Sequence, residues 1–261
     1  MILVIDIGNT STMLGIYESG KLVNFSRIIT GLSQDEGVIL TTDQIGTEIS
    51  RLLKKHRNTN VSIEGAAICS VVPDLTPVYL EVTEKLFNVK GWALDHKAEL
   101  GLKIDIDEPS QVGADRLANA VAVKANYGYP AVVVDLGTAT NFDVVNAEGN
   151  YIGGAIAPGV LVSSEELFRR ASRLFSVEIE KPDRFIGANT IEAMQSGIFY
   201  GTIGMIDYMV ENIIGELGVA NAHVIATGGL ADKFAPYSRK IQEVDNTLTL
   251  DGVYLAYQRN R

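Results

Sequence analysis

The chain has 261 residues, enough for two domains of ordinary size or one large one. Apolar residues make up 46% and charged residues 21%, which fits a folded globular protein and excludes a disordered one. A formal net charge of -10 argues against broad binding to a nucleic-acid backbone, which needs clustered Lys and Arg, yet a single nucleotide could still be held by backbone N–H groups and a metal ion.

The opening predicts three strands, MILVI (2–5), STMLGIYES and KLVNFSRII, parted by turn residues at Gly8-Asn9 and Ser19-Gly20. In DQIGTEISRLLKKH, Ile45, Ile49, Leu52 and Leu53 fall at helical spacing. SIEGAAICSVVP reads as a buried strand stopped by Pro73, and TPVYLEVTEKLF as a helix with proline in its first turn. A short strand at GWALDH follows, then a helix led by glycine in EPSQVGADRLANAVAVKANYG. PAVVVDLG begins the second half, AHVIATGGLADKF predicts a strand, a Gly-Gly turn and a helix, and TLDGVYLAYQRN predicts the closing helix. The one cysteine, Cys69, makes no internal disulfide and reads as buried core; His56, His96 and His223 are scattered and form no metal cluster with it. No basic region precedes MILVI, and no apolar run approaches the roughly 20 residues of a membrane helix, so the expectation is a soluble cytoplasmic protein.

The second half repeats the first. At an offset of 129, Asp135 falls on Asp6, Gly137 on Gly8 and Gly149 on Gly20, so each half reads strand, Asp-x-Gly turn, strand, Gly turn, strand. The expected fold class is α/β: two domains of related topology, residues 1–128 and 129–261, each with a mixed sheet starting in a hairpin, the closing helix free to pack back on the first. A ligand is expected where the two Asp-x-Gly turns face each other across a cleft.

The motifs allow a structural and a functional reading. In Asp6-Ile7-Gly8-Asn9-Thr10-Ser11-Thr12, Gly8 permits close approach to a ligand, and Asn9, Thr10, Ser11 and Thr12 carry short donors for phosphate oxygens. Asp6 suits a hydrated Mg²⁺; alternatively it merely caps a hairpin, since these are ordinary turn residues. Two copies tilt the reading toward a nucleotide. Asp135-Leu136-Gly137-Thr138-Ala139-Thr140 offers the same parts, with Thr138 and Thr140 toward phosphate and Asp135 toward a cation. In Gly113-Ala114-Asp115-Arg116, Asp115 is either a helix cap or a base accepting a hydroxyl proton, with Arg116 orienting an anionic substrate.

The ordered set DIGNTSTMLGIYESG, ICSVVP, VGADR, DLGTATNFDVV, GGAIAPG, MQSGIFYG and TGG resembles that of the type III pantothenate kinases over nearly the whole chain. The resemblance implies two tandem ribonuclease-H-like domains of the acetate and sugar kinase, heat-shock 70 and actin superfamily, with the active site in the interdomain cleft. It implies ATP-dependent phosphorylation of pantothenate on its terminal hydroxyl, the first committed step toward coenzyme A. By position, Asp6, Ile7, Gly8, Asn9, Thr10, Ser11, Thr12 and Met13 resemble the ATP phosphate loop, with Asp6 also near Mg²⁺ and Thr138 a further ATP contact. Asp135 resembles the ligand of an activating monovalent cation, K⁺ or NH₄⁺. Gly113, Ala114, Asp115 and Arg116 resemble the pantothenate segment, Asp115 as proton acceptor, and Thr190 a threonine that touches substrate. Members are usually homodimers. Ile106, in IDEP, stands where the family commonly has a tyrosine that contacts substrate; a lost contact of that kind is worth about 1 kcal/mol. Two rival readings stand beside this one: a kinase of another small hydroxylated substrate on the same fold, and a non-catalytic regulator that binds a nucleotide or a pantothenate-like ligand.

Overall fold

The structure, a computed structural model, describes residues 1–30, 41–54, 62–171 and 174–261. His56 falls outside them. In chain order the first half runs β1 (Ile2–Ile7), β2 (Ser11–Glu18), β3 (Lys21–Ile29), α1 (Thr42–Lys54), β4 (Gly65–Ser70), α2 (Thr76–Phe87), β5 (Trp92–Ala93) and α3 (Ala114–Asn126). The second runs β6 (Ala131–Leu136), β7 (Ala139–Val145), β8 (Tyr151–Pro158), α4 (Val160–Arg170), α5 (Thr190–Glu216), β9 (His223–Thr227), α6 (Ala231–Phe234), β10 (Glu243–Val244) and α7 (Leu248–Asn260). Two compact units result, Met1–Asn126 with Thr247–Arg261, and Tyr127–Asn246.

The first unit is built on a five-stranded sheet of order β3-β2-β1-β4-β5, with β1 antiparallel to β2 and parallel to β4. Side chains alternate across a strand, so β1 feeds two layers. Leu3, Ile5 and Ile7 join Leu14, Ile16 and Ile68 in a core with Ile45, Ile49 and Leu52 of α1 and Tyr79 and Val82 of α2. Both faces of β1 are covered, which is why its sequence is a continuous apolar run and not an alternating one. The opposite face carries α7: Tyr254 stacks on Tyr17 at 4.2 Å between ring centroids, and the Tyr17 hydroxyl donates to Asp251.

The second unit repeats the plan in a sheet of order β8-β7-β6-β9-β10, antiparallel from β6 to β8 and parallel from β6 to β10. This shared order is the ribonuclease-H-like arrangement. The offset of 129 carries β1 onto β6, but β7 starts one residue early: its loop spans 137–138 where the first unit's spans 8–10. The longer turn at 146–150 restores the register, so Gly20 and Gly149, with φ of 84° and 74°, occupy matching turns.

Two helices have no counterpart among the predicted elements, α4 and the 27-residue α5. Gly197, Gly201, Gly204 and Gly215 interrupt α5, and its apolar residues run around the helix, so no single stripe announces it. A capping signal was present. Asn189 accepts the Glu192 N–H at 3.0 Å, and the Glu192 carboxylate receives the Ala188 N–H at 2.8 Å, a reciprocal cap spaced like a capping box.

Candidate functional site

In the first unit, chemistry collects at the carboxyl end of β1 and β4. The parallel register pairs Asp6 with Cys69, and the antiparallel register pairs Asp6 with Met13, so all three side chains share the sheet face opposite the α1/α2 core. The Cys69 thiol is fully buried, and β1–β4 pairing sets it beside Asp6. Burial pushes that thiol well up, and the nearby Asp6 and Asp115 carboxylates push it further in the same direction. Cys69 therefore stays protonated between two acids.

Asp115 reaches this place from the first turn of α3. Its Oδ1 accepts the Arg116 N–H at 2.8 Å, which satisfies one of the donors a helix leaves open at its start. A Cβ on Gly113 would collide with that oxygen, so only glycine leaves the carboxylate room to fold back over the helix start. Desolvation raises the Asp115 pKa above the ordinary aspartate value; the Arg116 N–H and guanidinium pull the other way without cancelling it. A half-buried carboxylate with raised proton affinity is what a general base needs, and its capping bond and its base chemistry are compatible.

The loop 8–10 presents exposed Asn9 and Thr10 beside half-buried Asp6, Gly8 and Ser11. Ile7 and Thr12 differ. Ile7 is core, and Thr12 is fully buried on the α1/α2 face, its hydroxyl 3.0 Å from that of Thr30. Strand alternation turns the Thr12 hydroxyl to the face opposite Asp6.

In the second unit, Asp135 occupies on β6 the position of Asp6 on β1, paired with Asn141 and Thr227. A Cβ on Gly228 would lie 2.5 Å from Asp135 Oδ1, so the Gly-Gly turn after β9 exists to let backbone approach that carboxylate. Thr138 is exposed in the 137–138 turn. Thr140 pairs with Leu136, is fully buried and lies on the face away from Asp135. Thr190 is exposed at the first residue of α5. Ile106 is half-buried in the loop ahead of α3.

As for ions, one carboxylate completed by phosphate oxygens and water is the donor set Mg²⁺ ordinarily takes, and Asp6 fits it. Among the described residues no group of three or more His, Cys, Asp or Glu forms an all-protein metal cage. Gly137 and Gly228 both pack close to the Asp135 carboxylate. No helix among the described residues is long and apolar enough to cross a membrane.

Residues 2–212 match the family described as type III pantothenate kinase. A type III pantothenate kinase of Geotalea daltonii is 44% identical over 261 residues, covering 100% of this chain and 99% of its own. That of Syntrophus aciditrophicus is 43% identical over 260 residues, covering 100% of both. Among solved structures, component A of (R)-2-hydroxyglutaryl-CoA dehydratase from Acidaminococcus fermentans has a TM-score of 0.55 at 13% identity, over 100% of this chain and 99% of that one. The ethanolamine utilization protein EutJ of Carboxydothermus hydrogenoformans has a TM-score of 0.54 at 16% identity, over 97% and 88%. Likeness at these identities speaks for the fold alone.

Proposed function

This chain belongs to the type III pantothenate kinase family, and from that membership we propose how its residues divide the labour of its reaction, the ATP-dependent phosphorylation of pantothenate in coenzyme A biosynthesis. The observation that supports the division is the gathering of Asp6 and Asp115 about the buried Cys69 thiol at one end of the first sheet. Asp115 accepts the proton of the pantothenate terminal hydroxyl as its oxygen bonds to the γ-phosphorus and the bond from that phosphorus to the departing ADP breaks. Gly113, Ala114 and Arg116 hold the acceptor, with the Arg116 fork on its carboxylate. Backbone and exposed side chains of the 8–10 loop, flanked by Asp6, Ser11 and Met13, hold the ATP phosphates, and Thr138 adds a hydroxyl. When bound, Mg²⁺ neutralises charge on the phosphate oxygens; Asp6 would hold it through water. Asp135 would hold K⁺ or NH₄⁺.

Exposed Phe185 and Ile186 just ahead of Thr190, 72% and 84% accessible, offer an apolar face for a second copy, and we take the working form to be a homodimer in the cytoplasm. The test is a screen of hydroxyl acceptors with ATP. Pantothenate should turn over with the highest kcat/KM. A different small alcohol outpacing it would overturn the acceptor assignment, and Ile106 would be the first residue to examine.

A further inference from the structure

Behind the 8–10 loop, on the α1/α2 side of the first sheet, two threonine hydroxyls are buried in an apolar core. Thr12 on β2 is 0% exposed and Thr30, just after β3, is 1%. They serve one another. The Thr30 hydroxyl donates to the Gly8 carbonyl at 2.7 Å, and its oxygen lies 3.0 Å from the Thr12 hydroxyl.

A hydroxyl has a single hydrogen. Because Thr30 commits its own to Gly8, Thr12 must donate to Thr30. The protons run one way, from β2 to the loop, and each bond polarises the next. Thr30 also clamps the far side of the loop, its backbone N–H donating to the Thr10 carbonyl at 3.0 Å. With the Gly8 and Thr10 carbonyls fixed from behind, the peptide planes of residues 8–10 are fixed too, and with them the direction of the N–H groups on the other side.

We propose that Thr30 is a positioning residue for ATP: its hydroxyl bond to the Gly8 carbonyl and its backbone bond to the Thr10 carbonyl set the peptide orientation with which the loop meets phosphate. Thr30 itself does not touch nucleotide. The proposal rests on the reading of the 8–10 loop as the phosphate loop. A core that only needed filling would use Val at both threonine positions, which matches the shape without the cost of burying two hydroxyls.

The experiment is steady-state kinetics of the full chain with Thr30→Val, Thr30→Ser and, as a check on the loop itself, Asp6→Asn. Thr30→Val should raise the KM for ATP roughly three- to ten-fold, the range expected for one hydrogen bond, with the KM for pantothenate and kcat little changed. Thr30→Ser keeps the hydroxyl and should restore the wild-type value. If Thr30→Val lowers the melting temperature while the KM for ATP stays put and Asp6→Asn raises it, the clamp is structural and the proposal fails alone. An unchanged KM for ATP in Asp6→Asn as well would remove the loop reading and the proposal with it. Should Thr30→Val fail to fold, a raised KM in Thr30→Ser would contradict the proposal equally.

Discussion

At the scale of the residue, Asp115 is the proposed base, and its environment sets a sign that can be checked. Desolvation raises its pKa, so the ionised form needed for base catalysis is present only above that raised value, and the acid limb of the kcat profile should fall at a pH above the ordinary aspartate range. Asp115→Asn should lower kcat by about 10²- to 10⁴-fold, the usual worth of a general base, with ATP binding intact. The same shift predicts a gain in stability. A raised folded pKa means that the native state favours the proton, so the carboxylate costs nothing below the unfolded pKa and costs most above the folded one. Asp115→Asn should therefore melt higher than wild type at neutral pH, with the advantage vanishing under acid. A variant that keeps turnover would remove Asp115 from the base role. The place of Asp115 at a helix start was legible in the sequence, since an aspartate just inside a glycine-led helix announces itself. The place of Cys69 between Asp6 and Asp115 was not, because it depends on the pairing of β1 with β4, whose register joins residues 63 positions apart. Nor was the turn of the Thr12 hydroxyl to the face opposite Asp6, which strand alternation sets.

At the scale of the element, the site depends on how closely α3 and α7 approach, since α3 carries Asp115. A Cβ on Gly252 of α7 would lie inside contact distance of the Ala118 carbonyl on α3, and that neighbour is backbone and cannot swing aside. Gly252→Ala should force the helices apart and cost about 1–3 kcal/mol, the range for overpacking, read as a lower denaturant midpoint at constant slope. No loss of stability would mean that the helices yield freely. The elements read well from sequence where one signal dominated, as in α2 with proline at its start and α1 with its apolar stripe. They read poorly in α5, where tertiary burial sustains a helix that four glycines would discourage in isolation.

At the scale of the molecule, duplication explains the two Asp-x-Gly turns that mark the sequence. One ancestral order of strands, used twice, places an aspartate at the carboxyl end of the first strand of each sheet, and each aspartate acquired its own neighbours: Cys69 and Asp115 for Asp6, Gly228 for Asp135. The repeat could be read from three aligned positions; the one-residue difference between the turns could not, because the longer loop after β7 hides it. The most direct measurement is coupled release of ADP by the purified chain, with pantothenate, ATP, Mg²⁺ and a monovalent cation each withheld in turn. The account predicts turnover with all four present and a collapse when any one is missing, K⁺ and NH₄⁺ substituting for each other. ADP release that ignores pantothenate, or none with the full set, would contradict it.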